Sequence, residues 1–188
     1  VGGKGLFVKE IEECLLAKKA DMAVHSMKDL PYAGPDALEI ASILKREDPG
    51  DTLVTLQGKN LSDLPSGALV GTSSVRRRAQ LLATRPDLNC KDIRGNVGTR
   101  LSKLKGNEFS ALILATAGLK RLGLMKKEYF QFSKKIMLPA AGQGAIGIQV
   151  RSDNENIRNL VSDLACPQTT ASVNAERKMV EVLGGDLF

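Results

Sequence analysis

Ala68-Leu69-Val70-Gly71-Thr72-Ser73-Ser74-Val75-Arg76-Arg77-Arg78 is a short apolar run that stops at a glycine and gives way to hydroxyls and then to cations. The apolar part, Ala68 to Gly71, predicts a buried strand, and the hydroxyls predict a helix opening near Ser74. Two other stretches follow the same plan: Ala23-Val24-His25-Ser26-Met27-Lys28-Asp29-Leu30-Pro31 and Ile93-Arg94-Gly95-Asn96-Val97-Gly98-Thr99-Arg100-Leu101. Apolar runs that alternate with amphipathic stretches predict an α/β fold, with parallel strands joined by helices. In such sheets, loops of this kind gather at the carboxyl ends of the strands, where helix N-termini expose unpaired N–H groups and favour anions. The chain reads as built to hold something with many negative charges.

Working outward, Leu6 to Lys18 predicts a helix that buries Phe7, Ile11, Cys14 and Leu15 and leaves Lys9, Glu10, Glu12 and Glu13 in water. Strands are expected at Asp21 to Ser26 and Leu38 to Leu44. A second block has strands at Thr52 to Leu56, Ala68 to Gly71, Asn89 to Ile93 and Ala111 to Ala115, with helices opening near Ser74, Val97 and Ala117. After the loop Pro139-Ala140-Ala141-Gly142-Gln143-Gly144, a strand at Ala145 to Val150 and a helix at Asn154 to Ala165 return the chain to the first block. The expected organisation is a discontinuous first lobe, 1–45 with 144–165, and a second lobe, 50–138. Two crossings between the lobes imply a hinge and an inter-lobe cleft. Residues 167–188 would start a truncated third domain, because a lone trailing helix has no core of its own.

Composition narrows the function. The chain has 188 residues, 43% of them hydrophobic, and a formal charge of +6. No segment reaches the apolar length that spans a bilayer, and the first residues lack a secretory pattern, so a cytoplasmic setting without membrane is expected. Three cysteines and one histidine make no metal-like spacing. Aromatics are only 4% and tryptophan is absent, while the arginines sit at separate helix starts, which argues against nucleic acid and for a small polycarboxylate or phosphate.

Each candidate group has a plain alternative. Arg76 and Arg77 fall in a helix first turn, where the dipole disfavours cations; either an anion compensates them or nearby carboxylates pair with them. Arg94 and Arg100 flank Gly95-Asn96-Val97-Gly98-Thr99, whose glycines admit close approach of a ligand to backbone N–H groups. Arg121 suits either a ligand or ordinary complementation of a helix end. Asp29 beside Lys28 offers a charge clamp or proton-transfer group, or else a turn cap. His25 reads as a packing or hydrogen-bonding group, with catalysis as the alternative, and Cys166 before Pro167 as a buried small residue.

Taken together and in order, Gly3-Lys4-Gly5-Leu6-Phe7, His25 to Pro31, Gly71 to Arg77, Ile93 to Leu101 and Gly142-Gln143-Gly144-Ala145 closely resemble the porphobilinogen deaminase (hydroxymethylbilane synthase) family. The resemblance implies two periplasmic-binding-protein-like lobes plus a small third domain. It implies a deaminating transferase of tetrapyrrole (haem) biosynthesis, which joins four porphobilinogen units into hydroxymethylbilane with release of ammonia. The partners would be porphobilinogen and linear pyrrole oligomers, with the protein a monomer. The cofactor would be dipyrromethane, held covalently by a cysteine. By motif, Asp29 would be the catalytic carboxylate. Lys28, Thr72, Ser74, Arg76, Arg77 and Arg100 would clamp cofactor carboxylates, and Arg94, Arg100, Arg121 and Gln143 would face the substrate chain. Lys4, with Ser26, would lie at a loop over the cleft. A two-lobed anion-binding module without catalysis is the alternative.

The family pattern opens with a further strand and helix that carry a substrate-binding arginine and serine. Near its other end, Ala175-Glu176-Arg177 and a helix lead to a Gly-Gly-Cys-type loop that bears the cofactor, where this chain reads Gly184-Gly185-Asp186-Leu187-Phe188. Cys14, Cys90 and Cys166 lie in other elements. The expectation is that the polypeptide as written neither carries covalent dipyrromethane nor turns over porphobilinogen.

Overall fold

A computed structural model of the chain describes residues 3–184. The chain divides into two compact units, one formed by residues up to 47 together with those from 141 onward, the other by residues 48–140. The Gly185 to Phe188 tail lies outside the described residues, as does the Lys4 side chain.

In the first unit, helix α1 (Gly3–Leu16) precedes strand β1 (Met22–Ser26), a 3-10 turn (Met27–Asp29) and strand β2 (Leu38–Ile43). Strand β8 (Ile146–Arg151) comes back between them, giving the order β1-β8-β2. Both pairings are antiparallel, and Ala41 bulges out where the β2 register shifts between Ile40 and Ser42. The parallel arrangement expected from the alternating pattern is therefore corrected here, because apolar runs report burial and not strand direction. Helices α5 (Glu155–Ser162) and α6 (Pro167–Val182) complete the unit.

Helix α1 buries Leu15 as expected and leaves Ile11 half-buried, but it buries Val8 in place of Phe7 and Cys14. Val8 and Leu15 are in the core, whereas Phe7 is 64% exposed and Cys14 lies on the surface. The helix starts at Gly3, so Lys4 belongs to it and not to a loop. Val8 packs with Met27, Leu30, Ile43, Ala145 and Val173 of α6, while Ile148, Val150 and Val161 of α5 form a second cluster. Cys166 precedes α6 and is half-buried, its backbone N–H donating to the Ile43 carbonyl at 2.8 Å.

The second unit holds a mixed five-stranded sheet in the order β5-β4-β6-β3-β7. The strands are β3 (Asp51–Val54), β4 (Leu69–Gly71), β5 (Asn89–Lys91), β6 (Ala111–Ala115) and β7 (Phe130–Gln131). Strand β4 runs parallel to β5 and β6, as the strand–helix alternation predicts, while β3 is antiparallel to β6 and to the unanticipated β7. Alternate residues of β6 separate the two faces: Ala111 and Ile113 join Leu53, Val70 and Leu81 on one side, and Leu112 and Leu114 join Val54, Leu104 and Leu119 on the other. Helix α2 (Val75–Thr84) covers the first face, and α3 (Val97–Lys105) and α4 (Thr116–Arg121) the second. With both faces covered, β4 and β6 read as continuous apolar runs.

Candidate functional site

In the first unit, β1 delivers His25 and Ser26 to its carboxyl end, and the 3-10 turn that follows carries Lys28 and Asp29. His25, Ser26 and Asp29, with Phe7, Val8, Ile11 and Val24, line a hollow of about 310 Å³. That volume suits one small ring system. The walls are mainly apolar, and the hollow is open on one side, with Phe7 and Val24 exposed and Asp29 half-buried. His25 is buried, and its Nε2 lies 2.9 Å from Gln149 Oε1 while Gln149 Nε2 donates to Glu12 Oε1 at 3.0 Å. The accepting amide oxygen places the ring proton on Nε2. Of the two readings of His25, the hydrogen-bonding one describes its contact.

The loop between Pro139 and β8 meets this turn. Gly142 and Gly144 have φ of +71° and +85°, values that glycine adopts at no steric cost. Gln143 between them is 1% exposed and stands 3.5 Å from Lys28 Nζ through its Oε1. The Gln143 carbonyl accepts from Arg46 Nε at 2.9 Å, and the Gly142 N–H donates to Glu176 Oε2 at 2.9 Å. Arg46 and Glu176 pair through two hydrogen bonds, at 2.6 and 2.9 Å.

In the second unit, the β4 end carries the hydroxyl cluster. Thr72 is buried and its Oγ1 accepts from the Ser74 N–H at 3.2 Å. Ser74 caps α2, accepting from the Arg77 N–H at 3.4 Å. Ser73 bridges to the neighbouring strand end, donating to the Ile93 carbonyl at 2.7 Å. The next loop is fixed by Asn96, whose side chain caps α3 through the Thr99 N–H at 2.8 Å, and by Gly95 at φ +111°.

The cations fall into two classes. Arg77 is buried, donating from Nε and Nη2 to Asp51 Oδ1 at 3.0 and 2.7 Å and from Nη1 to the Ile113 carbonyl at 3.1 Å. Arg76 pairs with the other Asp51 oxygen at 2.8 Å and donates to the Leu138 carbonyl. Asp51 is fully buried; burial pushes its carboxyl up, but Arg77 and Arg76 more than offset this and hold it below the usual carboxylate range. For this arginine pair, pairing with a nearby carboxylate is what the structure contains. Arg100 is half-buried with its Nε donating to the Gly95 carbonyl at 2.8 Å. Arg94 and Arg121 are exposed and have no hydrogen bond or ion pair among the described residues.

Asp51 and Arg46 carry no mark in the sequence, and Glu176 and Arg177 stand there only as part of the family pattern, without a role. Each acts across a long stretch of chain, and no local spacing marks such a partner.

The family model for the porphobilinogen deaminase dipyrromethane cofactor binding domain matches residues 1–159. The porphobilinogen deaminase of Chromobacterium violaceum is 51% identical over 185 residues, covering 98% of this chain and 60% of that protein. That of Thiobacillus denitrificans is 54% identical over 185 residues with the same coverage. The chain thus spans about 60% of the length of the curated relatives it matches. Among solved structures, a Bacillus subtilis lipoprotein described as methionine-binding shares the fold with a TM-score of 0.53 at 17% identity, covering 86% of this chain and 76% of that one.

Proposed function

The chain belongs to the porphobilinogen deaminase family, and from this premise we propose that its two units carry the family's condensation of four porphobilinogen units into hydroxymethylbilane, with release of ammonia. The observation that carries the reading is Asp29, placed by the turn after β1 in the wall of a ring-sized, mainly apolar hollow. Departure of ammonia from an aminomethylpyrrole leaves positive charge on the ring system. A fixed carboxylate in a mainly apolar hollow stabilises that charge without reorganisation, and also accepts from pyrrole N–H groups.

The donor set fits dipyrromethane, whose rings bear acetate and propionate arms. When bound, that group supplies the free pyrrole position from which the chain is extended. The apolar hollow of the first unit suits a ring, and Arg94 and Arg121 of the second unit, exposed and with no side-chain partner among the described residues, suit carboxylates. Lys28, Thr72, Ser74, Arg76, Arg77 and Arg100 hold cofactor carboxylates. Arg94, Arg100, Arg121 and Gln143 bind the incoming and growing chain, and Ser26 lines the hollow. Within this set, Arg77 acts mainly by fixing Asp51 and thereby Arg76, since its own donors point inward.

The proposal includes a cytoplasmic monomer without a nucleic-acid partner, in keeping with cations set at separate loops. No helix among the described residues is long and apolar enough to cross a membrane. Ammonia and hydroxymethylbilane are measured for the holoenzyme and for Asp29→Ala. Loss of both in the variant is expected; undiminished ammonia in the variant would remove Asp29 from the chemistry, and no ammonia from the wild-type holoenzyme would leave an anion-binding module without catalysis.

A further inference from the structure

Arg177 lies on α6, far along the chain from β1, yet every carbonyl it reaches flanks Lys28 and Asp29. Its Nη1 donates to the Met27 carbonyl at 3.3 Å and the Leu30 carbonyl at 2.9 Å, and its Nη2 to the Pro31 carbonyl at 2.6 Å. The guanidinium stands 5.0 Å from the centre of the Tyr32 ring. A 3-10 segment of three residues has no ladder of its own to hold its direction, so its neighbours decide where Asp29 points.

The other side of the turn is equally confined. Met27 is 1% exposed and its N–H donates to the Ala145 carbonyl at 3.0 Å. A Cβ on Gly142 would come within 2.8 Å of Met27 Cβ, and one on Gly147 within 2.2 Å of Met27 Sδ. The turn is therefore held between a glycine floor and a guanidinium fork.

We propose that Arg177 is a positioning residue for the reaction, holding the Met27 to Pro31 backbone so that the Asp29 carboxylate stands where positive charge develops. This rests on the reading of Asp29 given above. Lysine retains the charge but cannot span carbonyls of three residues with a rigid fork, which makes Arg177→Lys the informative variant. Misplacing a reacting group by about 1 Å costs on the order of 100-fold in rate, so kcat falls by about that factor. Asp29 acts most strongly on the charge that develops in the reaction, so kcat falls by a larger factor than KM rises.

The test is a kinetic cycle on the holoenzyme: wild type, Arg177→Lys, Asp29→Asn and the double variant, followed by ammonia release. Because Arg177 acts through Asp29, adding Arg177→Lys to Asp29→Asn costs little further rate. Two losses that multiply, a change confined to KM, or an unchanged kcat would each overturn the proposal. If Arg177→Lys yields no folded protein, Tyr32→Leu, which takes away the ring beside the guanidinium, decides: a kcat that falls more than KM rises supports positioning, and an unchanged kcat overturns it. Full activity in Asp29→Asn alone would instead defeat the reading of Asp29, whatever Arg177 does.

Discussion

Arginines that look alike in sequence do different work once burial and partners are known. Arg77 is committed to Asp51 in the interior, whereas Arg94 is exposed and unpaired among the described residues. Replacing Arg94 with alanine should therefore leave the unfolding midpoint nearly unchanged, within roughly 0.5 kcal/mol. It should raise KM for porphobilinogen about tenfold or more, as expected for a lost charge-assisted hydrogen bond of roughly 1.5–3 kcal/mol. Steady-state kinetics and a denaturant titration check both parts.

Asp51→Asn should behave in the opposite way, because it leaves buried guanidinium groups without their carboxylate. Breaking such a pair costs about 3–5 kcal/mol at neutral pH. The Asp51 carboxyl is depressed in the fold, so its stabilisation is present above the ordinary carboxylate range and is lost as pH falls through its lowered value. Urea midpoints measured down the acid range should show the gap between wild type and Asp51→Asn closing below that range; a gap independent of pH would contradict the ion-pair description. Asp29, Arg94 and the Thr72 to Arg77 cluster were legible because they sit in contiguous motifs. Asp51 was not, because its meaning comes from residues that the fold brings to it across 26 positions.

At the level of elements, existence and type were mostly legible, and direction and facing were not. The apolar run Ala111 to Ala115 is a strand buried on both faces, as its composition suggested. Strand β7 has only two residues and carries no period to detect. Helix α1 fooled the pattern because Phe7 and Val8 are adjacent apolar residues, and the turn that places Val8 and Leu15 inward sends Phe7 out toward the hollow. The Met27–Asp29 turn packs on β8, where Gly147 faces Met27 Sδ. Gly147→Ala should force Met27 out of a site that leaves it 1% exposed, costing roughly 1–3 kcal/mol of stability. Because the same shift moves Asp29, kcat should fall with it; thermal unfolding and ammonia release on the one variant test the coupling.

On the scale of the whole molecule, two α/β units divide the proposed work. The first supplies a carboxylate in an apolar hollow, and the second supplies hydroxyls and cations at its strand ends. The sequence points to this division because each motif is contiguous and follows an apolar run. The antiparallel pairing in the first unit was hidden, since burial pattern carries no sign of strand direction.

Rapid-quench measurement of the first ammonia released by holoenzyme saturated with porphobilinogen, wild type against Asp29→Asn, probes the chemistry apart from binding and product release. Loss of the charge that stabilises the developing cation should slow that single event by about 100- to 1,000-fold, the range seen when one preorganised electrostatic group is removed. The covalent cofactor mass should be unchanged. A first turnover as fast as wild type would show that the carboxylate in the hollow is not what lowers the barrier.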